Sequence, residues 1–230
     1  LQRPFHKGFS FLLTYAYVKS KTQWYYDDQD EYDDVLTWYD FSSTQSGGAG
    51  AAAVTTDSPH NFVLAATVEI PVGRGRSLGN EMSSALDAII GGWQISGMYR
   101  YNSGRVLVFT DEATAPTATP NLLKEQGPNV TWFDTTGFSG AEPNTRRSNP
   151  WYYDGLTGPS YSNLDLGLTK RFRLSERIKL EVRLDAFNAL NGMNWQDPSL
   201  SATSSSFGIV NTQVRGYAGR QLQYSARLEF

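Results

Sequence analysis

Runs of about ten residues in which apolar and polar side chains alternate recur six times along this 230-residue chain, and they constrain its fold more than any other feature. In 9–18 one face carries Phe9, Phe11, Leu13, Tyr15 and Tyr17, and in 61–70 it carries Phe62, Leu64, Ala66, Val68 and Ile70. In 93–102 the same parity holds Trp93, Ile95, Gly97, Tyr99 and Tyr101. In 163–172 it holds Leu164, Leu166, Leu168 and Phe172, and in 178–187 Ile178, Leu180, Val182, Leu184 and Ala186. The last run, 221–230, places Leu222, Tyr224, Ala226, Leu228 and Phe230 on one side. Successive side chains of an extended chain point to opposite faces, so each run reads as a β-strand with one apolar face. The expected fold is all-β and antiparallel.

The opposite parity is polar over most of its length, with Gln94, Ser96, Arg100 and Asn102 on one strand and Lys179, Glu181, Arg183 and Asp185 on another. Leu12, Ala16, Val63 and Ala65 make the first two strands less clean. Lys170 is the single charge among the apolar sets, near a strand end from which its long stem could snorkel to water. Two environments suit such strands. In a soluble β-sandwich the apolar faces pack on each other. In a transmembrane barrel they meet lipid, and the polar faces line the interior.

Composition narrows the partners. Charged residues make up 19% and the net charge is −3, so no polyanion-binding surface and no nucleic-acid partner is expected. Aromatic residues at 13% exclude a disordered chain, and the absence of cysteine excludes disulfides and thiolate metal sites. No stretch reaches the roughly 20 apolar residues of a membrane-spanning helix. One short amphipathic helix is predicted over 82–90, with Met82, Ala85, Leu86, Ile89 and Ile90 on its apolar face and Gly91-Gly92 as its stop.

Three features favour the barrel. The runs have the length that crosses a bilayer at a tilt of about 45°, whereas sandwich strands are commonly five or six residues long. Rings sort to the two ends of the apolar faces: Phe9, Trp93, Phe172 and Phe230 at one end; Tyr15, Tyr17, Phe62, Tyr99 and Tyr101 towards the other. Rings at two levels with aliphatic residues between form the girdles of a membrane interface. The connections at about 19–60, 103–162 and 188–220 are long and those at 71–92 and 173–177 shorter, which is the outer-to-periplasmic asymmetry of such barrels. Arg at Leu166 or Val182 is then expected to cost roughly 2–4 kcal/mol near the bilayer midplane, and the same change at Gly167 or Arg183 parity to be mild. Six strands cannot close, since about eight make the smallest barrel. LQRPFHKG at 1–8 reads as the end of a seventh strand turning through Pro4 and Gly8, and more strands are expected before Leu1.

PHNFVLAATVEIPVGRG (59–75), IIGGWQISGMYRYNSGRVLVF (89–109), SNLDLGLTKRFRLSERIKLEVRLDAFNALN (162–191) and GRQLQYSARLEF (219–230) together resemble the C-terminal barrel of TonB-dependent outer-membrane transporters. Within that group the resemblance is to the Oar-like members, which carry a carboxypeptidase-regulatory-like domain. It covers the strand regions and little of the outer loops. It implies residence in the bacterial outer membrane, a barrel of about 22 strands with a plug, and import of a ligand such as a metal chelate, oligosaccharide or peptide. The plug and the segment that contacts the TonB complex lie outside this sequence. The resemblance also implies that the terminal strand, through Leu222, Tyr224, Leu228 and Phe230, is an assembly signal for the barrel-insertion machinery; a plain final strand anchored by its ring is the alternative. Other readings of the whole are a passive porin and a secreted β-sandwich carbohydrate-binding module.

Candidate ligand contacts lie in the first outer loop. Six of the eight residues from Asp27 to Asp34 are acidic, with Trp24, Tyr25 and Tyr26 beside them. Asp27, Asp28, Asp30, Asp33 and Asp34 could supply oxygens to Ca²⁺, or accept hydroxyl protons from a sugar stacked on the rings. The spacing lacks the glycine and distal glutamate of an EF-hand, and a solvated acidic loop is the plainer reading. PVGRGRSLGN (71–80) lacks Gly-Lys-Ser/Thr and reads as a flexible turn, not a phosphate cradle. His6 and His60 fall at opposite membrane sides, which makes a zinc site improbable. No G-x-S-x-G or H-E-x-x-H occurs, so no enzymatic activity and no cofactor is expected.

Overall fold

A computed structural model describes residues 1–6, 8–18, 22–23, 38–39, 58–109, 113–114, 116, 118–124, 130–140, 152–214 and 219–230. The main sheet contains β1 (Gln2–His6), β2 (Phe9–Tyr17), β5 (His60–Glu69), β6 (Trp93–Asn102), β9 (Tyr161–Arg173), β10 (Lys179–Phe187) and β11 (Gln221–Glu229). Two-residue ladders join β3 (Thr22–Gln23) to β4 (Trp38–Tyr39) and β7 (Ala113–Thr114) to β8 (Ser139–Gly140). The seven strands follow one another in chain order, every neighbour antiparallel, so the sheet is an up-and-down meander. β1 and β11 are its two edges, and the sheet is open.

Register carries the face assignment through the whole sheet. Phe9 pairs with Val68, Val68 with Ile95, Ile95 with Leu168, Leu168 with Leu184 and Leu184 with Tyr224. On the other face Ser10, Thr67, Ser96, Gly167, Asp185 and Gln223 form the parallel row. Directly paired residues share a face, so one side is apolar from β2 to β11 and the other polar. A slip of one residue in any pair would have mixed them.

No second layer covers the apolar side among the described residues. Leu222 is 54% exposed, and Leu164 and Leu180 are half-buried rather than sealed. The sandwich reading is thereby overturned, because its apolar faces would have to pack on each other.

The buried core lies elsewhere. Leu107, Phe109, Trp132, Phe133, Tyr153, Leu156 and Val210 form it, and all belong to the outer connections after β6 and β10. The single bridge Thr131–Ile209 joins the two connections, Ser199–Phe207 closes a turn within the second, and the Trp132 indole donates to the Thr157 carbonyl at 2.6 Å within the first. Phe133 and Phe138 meet Phe207 edge-on, at 5.5 and 5.1 Å between ring centres. The two outer connections therefore make one packed body above the sheet.

At the other end two of the three connections are tight turns. Gly8, with φ +78°, reverses the chain from β1 into β2, a conformation open to glycine at little cost. Ser175 Oγ accepts the amides of Arg177 and Ile178 between β9 and β10. Helix α1 (Ser84–Ile90) lies between β5 and β6, starting two residues later than the apolar period suggests because Ser83 caps it, its Oγ accepting from the Leu86 amide. No described helix is long and apolar enough to cross a membrane, which says nothing of strands.

Candidate functional site: a paired polar face, two ring belts and an outer cleft

The polar face is concave, with a hollow of about 480 Å³ lined in part by Ser10, Thr67, Ser96, Asp165, Arg183 and Asp185. Several of its charges are paired. Arg171 donates to Glu181 at 2.6 Å directly across β9 and β10, and Arg183 donates to both carboxylate oxygens of Asp185 at 2.8 Å along β10. Arg227 and Glu229 approach to 3.5 Å, and Arg76 reaches Glu69 at 2.9 Å. Such pairs on a wet sheet face contribute about 0.2–1 kcal/mol each. They form a ladder of opposite charges across and along the last strands.

Gly167 lies in this ladder, and the structure corrects the expectation of mildness there. A Cβ on it would meet Ser96 Oγ at 2.7 Å and Asp185 Oδ1 at 2.9 Å, so any side chain must displace a polar neighbour. Polar parity told the sequence reading which face Gly167 occupies, not how crowded it is.

On the apolar face the belt residues stand as follows. Tyr15, Phe62 and Tyr101 lie in one cross-strand row, with Tyr99 and Leu64 in the next. Phe62 and Tyr99 meet edge-on at 6.1 Å. Tyr17 pairs with His60, whose Nδ1 is 2.8 Å from Tyr15 Oη, so His60 joins the outer ring cluster. At the opposite end Trp93 pairs with Lys170, and Phe172 with Leu180; Phe230 follows Leu228, and Phe9 begins β2.

Lys170 departs from the sequence expectation. Its side chain is 2% exposed and does not snorkel to water. Nζ donates to the Ile89 carbonyl at 2.7 Å and the Gly91 carbonyl at 2.8 Å, and lies 5.2 Å above the Trp93 ring and 4.9 Å above the Phe172 ring. The carbonyls at a helix C-terminus are unsatisfied and negative, so they replace the water the ammonium gives up.

The strand offered as an assembly signal, β11, is exposed at every residue, and Phe230 is 97% exposed. Its other edge carries no strand in the described sheet. Trp24, Tyr25, Tyr26, Asp27, Asp28, Asp30, Asp33 and Asp34 lie outside the described residues.

Sequence reasoning missed the outer cleft. About 620 Å³ opens between the outer ends of β5, β6 and β9 and the segment after β10, lined by Ser58, Asn102, Arg105, Tyr161, Trp195 and Asp197 among others. Arg105 pairs with Asp197 there. Burial pushes the Asp197 carboxyl up, against the pull of the Arg105 guanidinium. An ion pair, two rings and neutral polar groups can hydrogen-bond and stack a hydroxylated or amide-bearing solute. The residues come from segments some ninety positions apart, so no local pattern announced them.

A one-sided antiparallel meander, with aromatic belts on its apolar side and long folded connections at one end, defines a bacterial outer-membrane β-barrel protein. The chain belongs to the family described as outer membrane beta barrel domain, whose model matches residues 1–223. No curated protein and no solved structure matches it. The apolar face is accordingly the lipid-facing side, and the short-turn end is the periplasmic one.

Proposed function

We propose that residues 1–230 are part of the barrel of a TonB-dependent outer-membrane transporter that imports a small ligand such as a metal chelate, oligosaccharide or peptide. The observation that carries this reading is a concave polar face that seven strands leave unclosed. Open backbone edges are not tolerated in hydrocarbon, so more strands must complete the wall, and the larger barrels of this kind carry a plugged lumen. The sequence resemblance to Oar-like transporters supports the same assignment. The packed outer body and the Arg105–Asp197 cleft beneath it form a first meeting place for the ligand. The acidic, ring-rich segment from Trp24 to Asp34 adds a second set of contacts, to a sugar or through Ca²⁺. No chemistry is assigned to the chain beyond binding and passage. The further partners of this reading are the barrel-insertion machinery, through β11, and the TonB complex, through regions outside this sequence.

The test is direct. Purified full-length protein in detergent should bind the periplasmic domain of TonB in a pull-down, and its reading frame should encode a plug domain. A bare barrel that ignores TonB would identify a passive porin instead.

A further inference from the structure

Helix α1 has its polarity turned inside out for a helix in water. At about 100° per residue, Ala85 and Ile89 project some 160° away from Asp87, with Leu86 and Ala88 flanking them. Asp87, the only charged residue of the helix, faces the protein. Its Oδ1 accepts the Arg74 amide at 2.8 Å and lies against the backbones of Gly73 and Gly91, where a Cβ would strike it. Leu86 is 46% exposed, Ile89 67% and Ile90 40%, and no residue of α1 is buried. A surface helix in water shows the reverse arrangement.

The placement of α1 identifies what lies outside it. Its C-terminal carbonyls are held by Lys170 Nζ, and the Trp93 indole donates to the Ile89 carbonyl at 3.1 Å. Lys170, Trp93 and Phe172 all stand on the apolar face, so the helix end is fastened to the lipid-facing side of the sheet. It is also at the short-turn end, level with the inner ring belt. β5 and β6 lie inside the sheet, two strands from one edge and three from the other, so strands added at either edge do not reach it.

We infer that α1 is an interfacial membrane helix, its Ala85–Leu86–Ile89 face seated at the headgroup–acyl boundary of the periplasmic phospholipid leaflet. Lipid continues there the surface that already covers Ile95, Leu168 and Trp93. The buried Lys170 ammonium acts as a clasp between barrel and helix, keeping its charge out of hydrocarbon by lying between two rings and two carbonyls. The helix is too short to hold itself on a membrane and needs that clasp. This inference rests on the outer-membrane barrel alone and is independent of the transport reading.

The 230 residues contain no cysteine, which suits site-directed spin labelling. Leu86→Cys, Ile89→Cys, Leu166→Cys and Ser77→Cys would be labelled in the full-length protein, refolded in phosphatidylethanolamine–phosphatidylglycerol vesicles and checked for folding by heat-modifiable gel migration. Oxygen and a water-soluble nickel chelate then report accessibility. The ratio of oxygen to nickel accessibility should be severalfold higher at 86 and 89 than at 77, and should approach that at 166. A ratio equal to that at Ser77 would place the helix in water and overturn the inference. Low accessibility to both reagents would mean a protein covers it, and would overturn it equally. Having two labelled positions keeps the test open should either variant fail to fold.

Discussion

Asp197 shows what one carboxylate can report about the outer body. Burial raises its pKa and Arg105 opposes the rise, so the folded state binds the Asp197 proton more tightly than the unfolded chain does. Its contribution is therefore fully present below the ordinary carboxylate pKa and is lost as pH climbs through the raised value. Arg105→Gln removes the opposing charge and should move that titration further up. Limited proteolysis of the surface-exposed connections, run from acid to neutral pH on the variant and the parent, measures it. The variant should become markedly more cleavable towards neutral pH, and equal pH profiles would contradict the assignment. Asp134 behaves oppositely: the Thr136 hydroxyl and amide hold its carboxyl below the usual range. Neither group was visible as special in the sequence, since each depends on what folds against it. Lys170 was visible as an anomaly, a charge at apolar parity, but its partners were not.

Strands were the most legible elements, because a period of two is a property of neighbouring residues and needs no distant contact. Two predictions belong here. Leu166→Arg or Val182→Arg puts a charge into hydrocarbon and should lower stability by roughly 2–4 kcal/mol, read by urea unfolding in phospholipid vesicles. Gln223→Arg places the same charge on the polar face opposite Asp185 and should be nearly neutral; it replaces Gly167 as the control, given the crowding there. Equal losses on the two faces would refute the lipid-facing assignment. For β11, deleting Phe230 removes the ring that ends the apolar run Leu222, Tyr224, Ala226 and Leu228. If the terminal strand is an assembly signal, the deletion should cut the amount of folded protein in the outer membrane severalfold while leaving refolding into detergent near normal. Parallel losses in both settings would reduce Phe230 to a membrane anchor. Helix α1 was legible in period and extent to within two residues, whereas the direction of its apolar face was not.

The whole molecule divides into a sheet whose apolar side needs lipid and an outer body with a core of its own. These should fail separately. Phe133 is fully buried between Phe109, Phe138 and Phe207, and Phe133→Ala should cost about 3–5 kcal/mol within that body. The outer connections should then become protease-sensitive on intact cells while the barrel keeps its heat-resistant gel mobility. Simultaneous loss of both would show that sheet and outer body fold as one unit. The one-sided sheet and its membrane face were determined by the sequence alone, because alternation is written residue by residue and the hydrogen-bond ladder preserves it. The packing of Phe133 on Phe207, the pairing of Arg105 with Asp197, the outward turn of α1 and the capture of the Lys170 ammonium were decided only by the tertiary structure. Each joins segments far apart in the chain, and an energy that exists only once two such segments touch leaves no periodic mark in either.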